Sequence, residues 1–155
     1  MNTIIDHIIQ VDDDAANNLL CKAILKRVLA EQSLDSIPFR DSSFKTTAIN
    51  DTGPSLNSFI DPEEALNFIK AEYSNKVNTS VLLLLDINMP GMSGWEFLAE
   101  FNKFSDHIRD QFTIYILSSS VDLIDKKMAA DWDMVAGFIS KPLKKEALKN
   151  IFFHN

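Results

Sequence analysis

Four places in this 155-residue chain carry groups that could do chemistry together. Asp12, Asp13 and Asp14 follow the strand-like segment 4–11. Asp86 closes the five apolar residues 81–85. Ser118 follows the run 112–117, and Lys141 follows 136–140. Carboxylates gathered in one small site repel each other and stay ionised together only beside a compensating cation. Hard oxygen ligands favour Mg²⁺, which takes one or two carboxylates and keeps waters or phosphate oxygens. A lysine and a hydroxyl next to that cation would hold the oxygens of a phosphoryl group. An aspartate can itself be the nucleophile and become an aspartyl phosphate. Phosphoryl transfer asks mainly for positioning and charge neutralisation, and this set supplies both. Each group alone is ordinary: an acidic turn, a strand-end carboxylate, a loop hydroxyl, a surface lysine. Their order along the chain is what gives them weight.

That order matters because of the elements that carry them. The run 81–85 is apolar at every position, the pattern of a central parallel strand covered on both faces. Segments 4–11, 112–117 and 136–140 read as further strands. Ala16, Leu20, Ile24 and Val28, with Ala23, predict the buried face of a first helix. Asp61-Pro62-Glu63-Glu64 is a helix start, with Asp as N-cap and Pro at the first helical position; Leu66, Ile69 and Tyr73 form its inner face. Helices are also expected at 94–104 (Phe97, Leu98, Phe101), 122–130 and 144–153 (Leu148, Ile151, Phe152). Strands alternating with helices call for a parallel sheet with right-handed crossovers and helices on both faces. In such a sheet all the strand ends named above share one edge, where open α/β folds bind ligands. The segment 31–58 is long and polar for a connection. Within it, 44–49 (from Phe44 to Ile49) is β-prone, Asn50-Asp51-Thr52-Gly53-Pro54 signals a turn, and 55–60 would pair back as a hairpin.

Composition sets the outer bounds. A net charge of −7 argues against nucleic-acid or anionic-membrane binding. One cysteine, Cys21, allows no internal disulfide, and its apolar surroundings predict an inert core thiol. The N-terminus lacks the basic region of a signal peptide, and no apolar run could span a bilayer. A single soluble, cytoplasmic domain over 1–155 is expected. His7, His107 and His154 lack metal-ligand spacing, and His107 is expected in a polar loop.

The residues Val11-Asp12-Asp13, Leu85-Asp86-Ile87-Asn88-Met89-Pro90 with Gly94, Ile116-Leu117-Ser118 and Phe138-Ile139-Ser140-Lys141-Pro142 resemble the receiver domain of two-component response regulators. The resemblance covers essentially the whole chain and leaves no output domain, as in stand-alone, chemotaxis-regulator-like receivers. It implies the flavodoxin-like doubly wound fold, a five-stranded parallel sheet of order 2-1-3-4-5, with a possible extra hairpin strand at 44–49 on the edge. It implies that Asp86 is the phosphoacceptor. Asp12, Asp13, Asp86 and the backbone carbonyl of Asn88 would be the Mg²⁺ ligands, and Lys141 the counter-charge. Ser118 and Phe138 would form the switch, Asn88 and Ser120 would tune dephosphorylation, and the Lys141–Pro142 bond would be cis. Asp14 is left to start the first helix. Departures from the family pattern are the length of 31–58 and one extra residue near Asp131-Trp132-Asp133. Val135-Ala136-Gly137 also replaces the usual Gly-Ala.

The resemblance also implies a role. A histidine kinase or histidine phosphotransfer protein would donate the phosphoryl group. A downstream protein would read the face formed by helix 4 (122–130), strand 5 and helix 5 (144–153). Apart from its own phosphorylation and dephosphorylation the chain would not be an enzyme. A receiver-like module that is never phosphorylated is one alternative, but the acid pair, Asp86 and Lys141 are all present. A haloacid-dehalogenase-type phosphatase is a remoter one: it needs a second Asp two residues after the nucleophile, where this chain has Asn88.

Overall fold

The computed structural model describes residues 5–35, 54–119 and 123–153. Five strands form one sheet in the order β2-β1-β3-β4-β5, with every neighbouring pair parallel. They are β1 (His7–Val11), β2 (Ser55–Phe59), β3 (Val81–Asp86), β4 (Phe112–Ser118) and β5 (Val135–Ser140). The helices are α1 (Ala15–Asp35), α2 (Pro62–Tyr73), α3 (Gly94–Phe101), α4 (Asp106–Arg109), α5 (Leu123–Ala130) and α6 (Lys145–Phe153).

The alternation of strand side chains divides the core in two. Ile9, Val11, Leu83, Leu85, Ile114 and Ile116 pack with Ala65, Ile69, Phe97 and Phe101 of α2 and α3. Ile8, Leu82, Leu84, Leu117 and Ile139 pack with Cys21, Leu25 and Val28 of α1 and with Leu148 and Ile151 of α6. Val81 through Leu85 are all 0% exposed, as a central strand requires. Each buried leucine there contributes about 1.5–3 kcal/mol of apolar burial.

Local signals explain where elements begin. Asp61 caps α2 by accepting from the Glu63 and Glu64 amides at 2.8 and 3.4 Å, and Pro62 opens the helix. Ser93 and Glu96 form a reciprocal capping box at the start of α3. The inner faces expected for α2, α3 and α6 are those observed, except that Phe152 is only half-buried.

Other expectations are corrected. The inner face of α1 is Asn18, Cys21, Leu25 and Val28; Ala16, Leu20 and Ala23 are exposed and Ile24 is half-buried. The helix is rotated because the Asn18 amide turns inward and donates to the Asp12 carbonyl at 2.8 Å. A polar residue on the buried face hid the true stripe. Residues 55–59 pair in parallel with β1 and form the outermost strand among the described residues, which does not bear on the expected hairpin. The hairpin partner expected at 44–49 lies outside the described residues. His107 lies on the short helix α4, where it is exposed. Lys145 and Lys149 of α6 both pair with Glu31 of α1, Lys149 at 3.0 Å.

The pairing of β4 with β5 carries one irregularity. Ile114 pairs with Val135 but Tyr115 pairs with Gly137, so Ala136 has no counterpart and forms a bulge. Beyond it the register is regular to Ser118 and Ser140.

Gly94 is held to its identity by close approach. A Cβ there would stand 2.6 Å from the Asp86 carbonyl oxygen and 2.8 Å from the Ile87 Cα, both backbone atoms that cannot step aside. Gly94→Ala should therefore cost about 1–3 kcal/mol. Urea denaturation should show a lowered midpoint with an unchanged slope.

Candidate functional site

The same alternation that builds the core aims the acidic groups. Ile8, Gln10 and Asp12 point to one side of β1, and Leu82, Leu84 and Asp86 to the same side of β3. The two strands pair in register, Val11 against Leu85, so the carboxylates that follow come out side by side. Lys141 continues the same face of β5 after Ile139. Its amide donates to the Ser118 carbonyl at 2.7 Å, and its bond to Pro142 is cis. Asp12, Asp13, Asp14, Asn17, Asp86, Asn88, Ser119, Lys141 and Pro142 line a cavity of about 480 Å³ at this edge.

The Lys141 ammonium bridges the two buried acids, 2.5 Å from Asp12 Oδ2 and 3.0 Å from Asp86 Oδ2. Asp12 is 0% exposed and Asp86 4%. Asp12 Oδ1 accepts from the Asp14 amide at 2.9 Å and from Asn17 Nδ2 at 3.4 Å. Asp86 Oδ1 accepts from the Asn88 amide at 3.3 Å. Asp13 is exposed, yet its carboxylate lies with those of Asp12 and Asp86 within 4.8 Å. Asp14 turns away and caps α1 through the Ala16 amide at 2.8 Å.

Burial is the main reason that Asp86 sits above its ordinary pKa; the Asp12 charge adds to the rise, while Lys141 and the Asn88 amide oppose it. Burial also works against the Lys141 charge, but hydrogen bonds to Asp12 and Asp86 outweigh it and raise this ammonium above its usual value. Three carboxylates thus face one ammonium. The donors are hard oxygens at the mouth of an open cavity, and they leave negative charge uncompensated. That donor set fits a divalent cation such as Mg²⁺.

The other residues singled out from the sequence fall in different places. Asn88 is exposed beside Asp86. Ser118 is 0% exposed, on the face of β4 that carries Ile116; Ser119, the next residue, lines the cavity. Phe138 is half-buried on β5 opposite Ile116, packed against the α2–α3 side of the core. Ser120 lies outside the described residues. Sequence reasoning missed Asn17 and Asn18. Asn18 ties the ends of β1 and β2 by donating to the carbonyls of Asp12 and Phe59 at 2.8 and 3.4 Å. Its spacing of three from Cys21 and seven from Leu25 was the available signal.

Comparison with known proteins came to the same architecture. The family model of the response regulator receiver domain matches residues 42–153. A two-component response regulator from Cytophaga hutchinsonii is 26% identical with a TM-score of 0.74, over 97% of this chain and 96% of that one. A response regulator receiver protein from Dyadobacter fermentans gives 22% and 0.65, over 94% and 97%. The chemotaxis protein CheY4 of Vibrio cholerae gives 18% and 0.59, over 93% and 92%. The last two bear on the fold alone. No curated protein sequence matched significantly.

The ionised Asp86 is a burden on the metal-free fold, and removing its charge leaves Lys141 still paired with Asp12. Asp86→Asn should raise the Tm in EDTA at neutral pH by about 3–6 °C, the equivalent of roughly 1–2 kcal/mol. The sign with pH follows from the raised folded-state pKa. Folding favours the protonated acid, so the cost is absent at low pH and grows as pH rises through the carboxylate range. The gain over the parent should shrink on acidification, as thermal melts from neutral to acid pH would record.

Proposed function

The chain belongs to the response regulator receiver domain family, and on that premise we propose that it is a phospho-accepting signalling protein whose acceptor is Asp86. The observation that carries the reading is one buried strand-end carboxylate with two more acids and a lysine around it, Lys141 at 3.0 Å. The donor is a phosphohistidine on a histidine kinase or phosphotransfer protein. An Asp86 oxygen attacks phosphorus, the P–N bond breaks, and the leaving imidazole takes up a proton. Asp12, Asp13, Asp86 and the Asn88 carbonyl would hold Mg²⁺, which supplies positive charge to the phosphoryl oxygens.

The chain's own groups do the rest. Asp12, fixed by the Asp14 amide, Asn17 and Lys141, keeps the acidic pair from swinging out of the cavity. Lys141 exchanges part of its contact with Asp86 for a phosphoryl oxygen. The Ser118 hydroxyl and the Phe138 ring form the switch, on the strand pair that carries both. Asn88, at the cavity mouth, tunes water access and hence the lifetime of the phosphorylated form, with Ser120 as its counterpart. The reading surface is the face of α5, β5 and α6, and a downstream protein binds there. Among the described residues no helix is long and apolar enough to cross a membrane. We place the protein's action in the cytoplasm, where kinases of this class donate.

Incubation with Mg²⁺ and acetyl phosphate should add the mass of one phosphoryl group to the parent and none to Asp86→Asn. Equal gain by both would remove Asp86 from the acceptor role; no gain by either, with no binding of Mg²⁺, would favour an unphosphorylated interaction module. Trp95, just past the loop after Asp86, should report Mg²⁺ binding by fluorescence. Lys141→Met should bind Mg²⁺ several-fold more tightly, because a competing cation is gone, and should lose the further fluorescence change on adding beryllofluoride.

A further inference from the structure

At the opposite edge of the sheet, where β4 and β5 begin, lies a second and larger cavity of about 810 Å³. Its floor is apolar: Phe112, Trp132 and Met134 line it, half-buried against the α2–α3 side of the core. Around that floor stand Asp110, Asp131 and Asp133, all exposed. Glu31, Glu72, Glu100 and Asp106 elsewhere on the surface each pair with a lysine or arginine. Among the described residues no such ion pair reaches the three aspartates of the cavity. Arg109, the cation in its lining, is already committed to Asp106 and to Asn102 Oδ1 at 2.6 Å. The bulge residue Ala136 also lines the cavity, and bulges gather where a strand must shape a binding surface.

An aromatic, apolar floor ringed by uncompensated carboxylates selects one chemistry. It suits cations on apolar stems, which lay their methylenes on the floor and their charge against the acids or over the indole. The lining is half-buried or exposed throughout, so the cavity is open. A small ligand needs most of its surface enclosed, whereas a segment of a larger molecule needs only a groove. We propose that this groove docks a basic peptide segment of a partner protein, lysines or arginines interleaved with apolar residues, at a surface separate from the Asp86 site.

The chain has two tryptophans, so Trp95→Phe leaves Trp132 as the sole reporter. That variant is titrated at low salt with an acetylated Lys-Leu-Lys-Val-Lys peptide, its Glu-Leu-Glu-Val-Glu counterpart, and spermine. The lysine peptide should shift Trp132 emission saturably, and Asp131→Asn with Asp133→Asn should weaken it about fivefold or more. Amide NMR should show the shifts at 131–136 and leave those of Asp12 and Asp86 in place. Equal binding of the glutamate peptide, indifference to the double substitution, or no shift with any probe would each overturn the proposal. Spermine binding as tightly as the lysine peptide would also overturn it, by showing a charge-only site with no role for the apolar floor.

Discussion

Two carboxylates that the sheet forces together hold the design of this molecule. Asp12 and Asp86 leave adjacent parallel strands on the same face, both almost free of solvent, and Coulomb repulsion at that range is costly in a partly dry site. Lys141 answers it by standing between them, which ties the end of β5 to the ends of β1 and β3. The lysine is brought there by the strand register. Ser118 and Ser140 pair, and the Lys141 amide extends that ladder by one more bond. The central strand, the register and the crossovers are therefore conditions for the site as well as for the core. One ammonium against three acids leaves the charge unbalanced, and a cation or a phosphoryl–cation pair can exploit that imbalance.

Much of this was legible in the chain itself. The apolar run of β3 fixed a doubly covered strand, and a period of two then dictated which side Asp86 takes. Asp61-Pro62-Glu63-Glu64 gave the start of α2 because its capping chemistry is local. What escaped was held by tertiary contacts. The face of α1 was misread because Asn18, a polar residue, spends its amide on two strand-end carbonyls inside the fold. Such a bond has no periodic signature. The short α4 is a single turn, below the length at which an apolar stripe can announce itself.

The asparagines also show that the acid pair is supported from behind. Asn17 bonds the Asp12 side chain and Asn18 bonds its carbonyl, so both amides of the first helical turn serve the strand before it. Asp14 then starts the helix with its own carboxylate. Three consecutive acids thus have three distinct fates, set by direction alone: one buried and bridged, one at the cavity mouth, one capping.

The bulge at Ala136 separates the two ends of the sheet. An added residue near Trp132 would, in an unbroken ladder, push every later position of β5 one step along and carry Lys141 to the wrong face. Absorbing it at the first rungs leaves the later rungs in step. The β4–β5 pair acts as a shock absorber: length can vary at the entrance of the strand while the business end keeps its alignment. A fold of this kind can lengthen or reshape one rim without renegotiating the chemistry at the other.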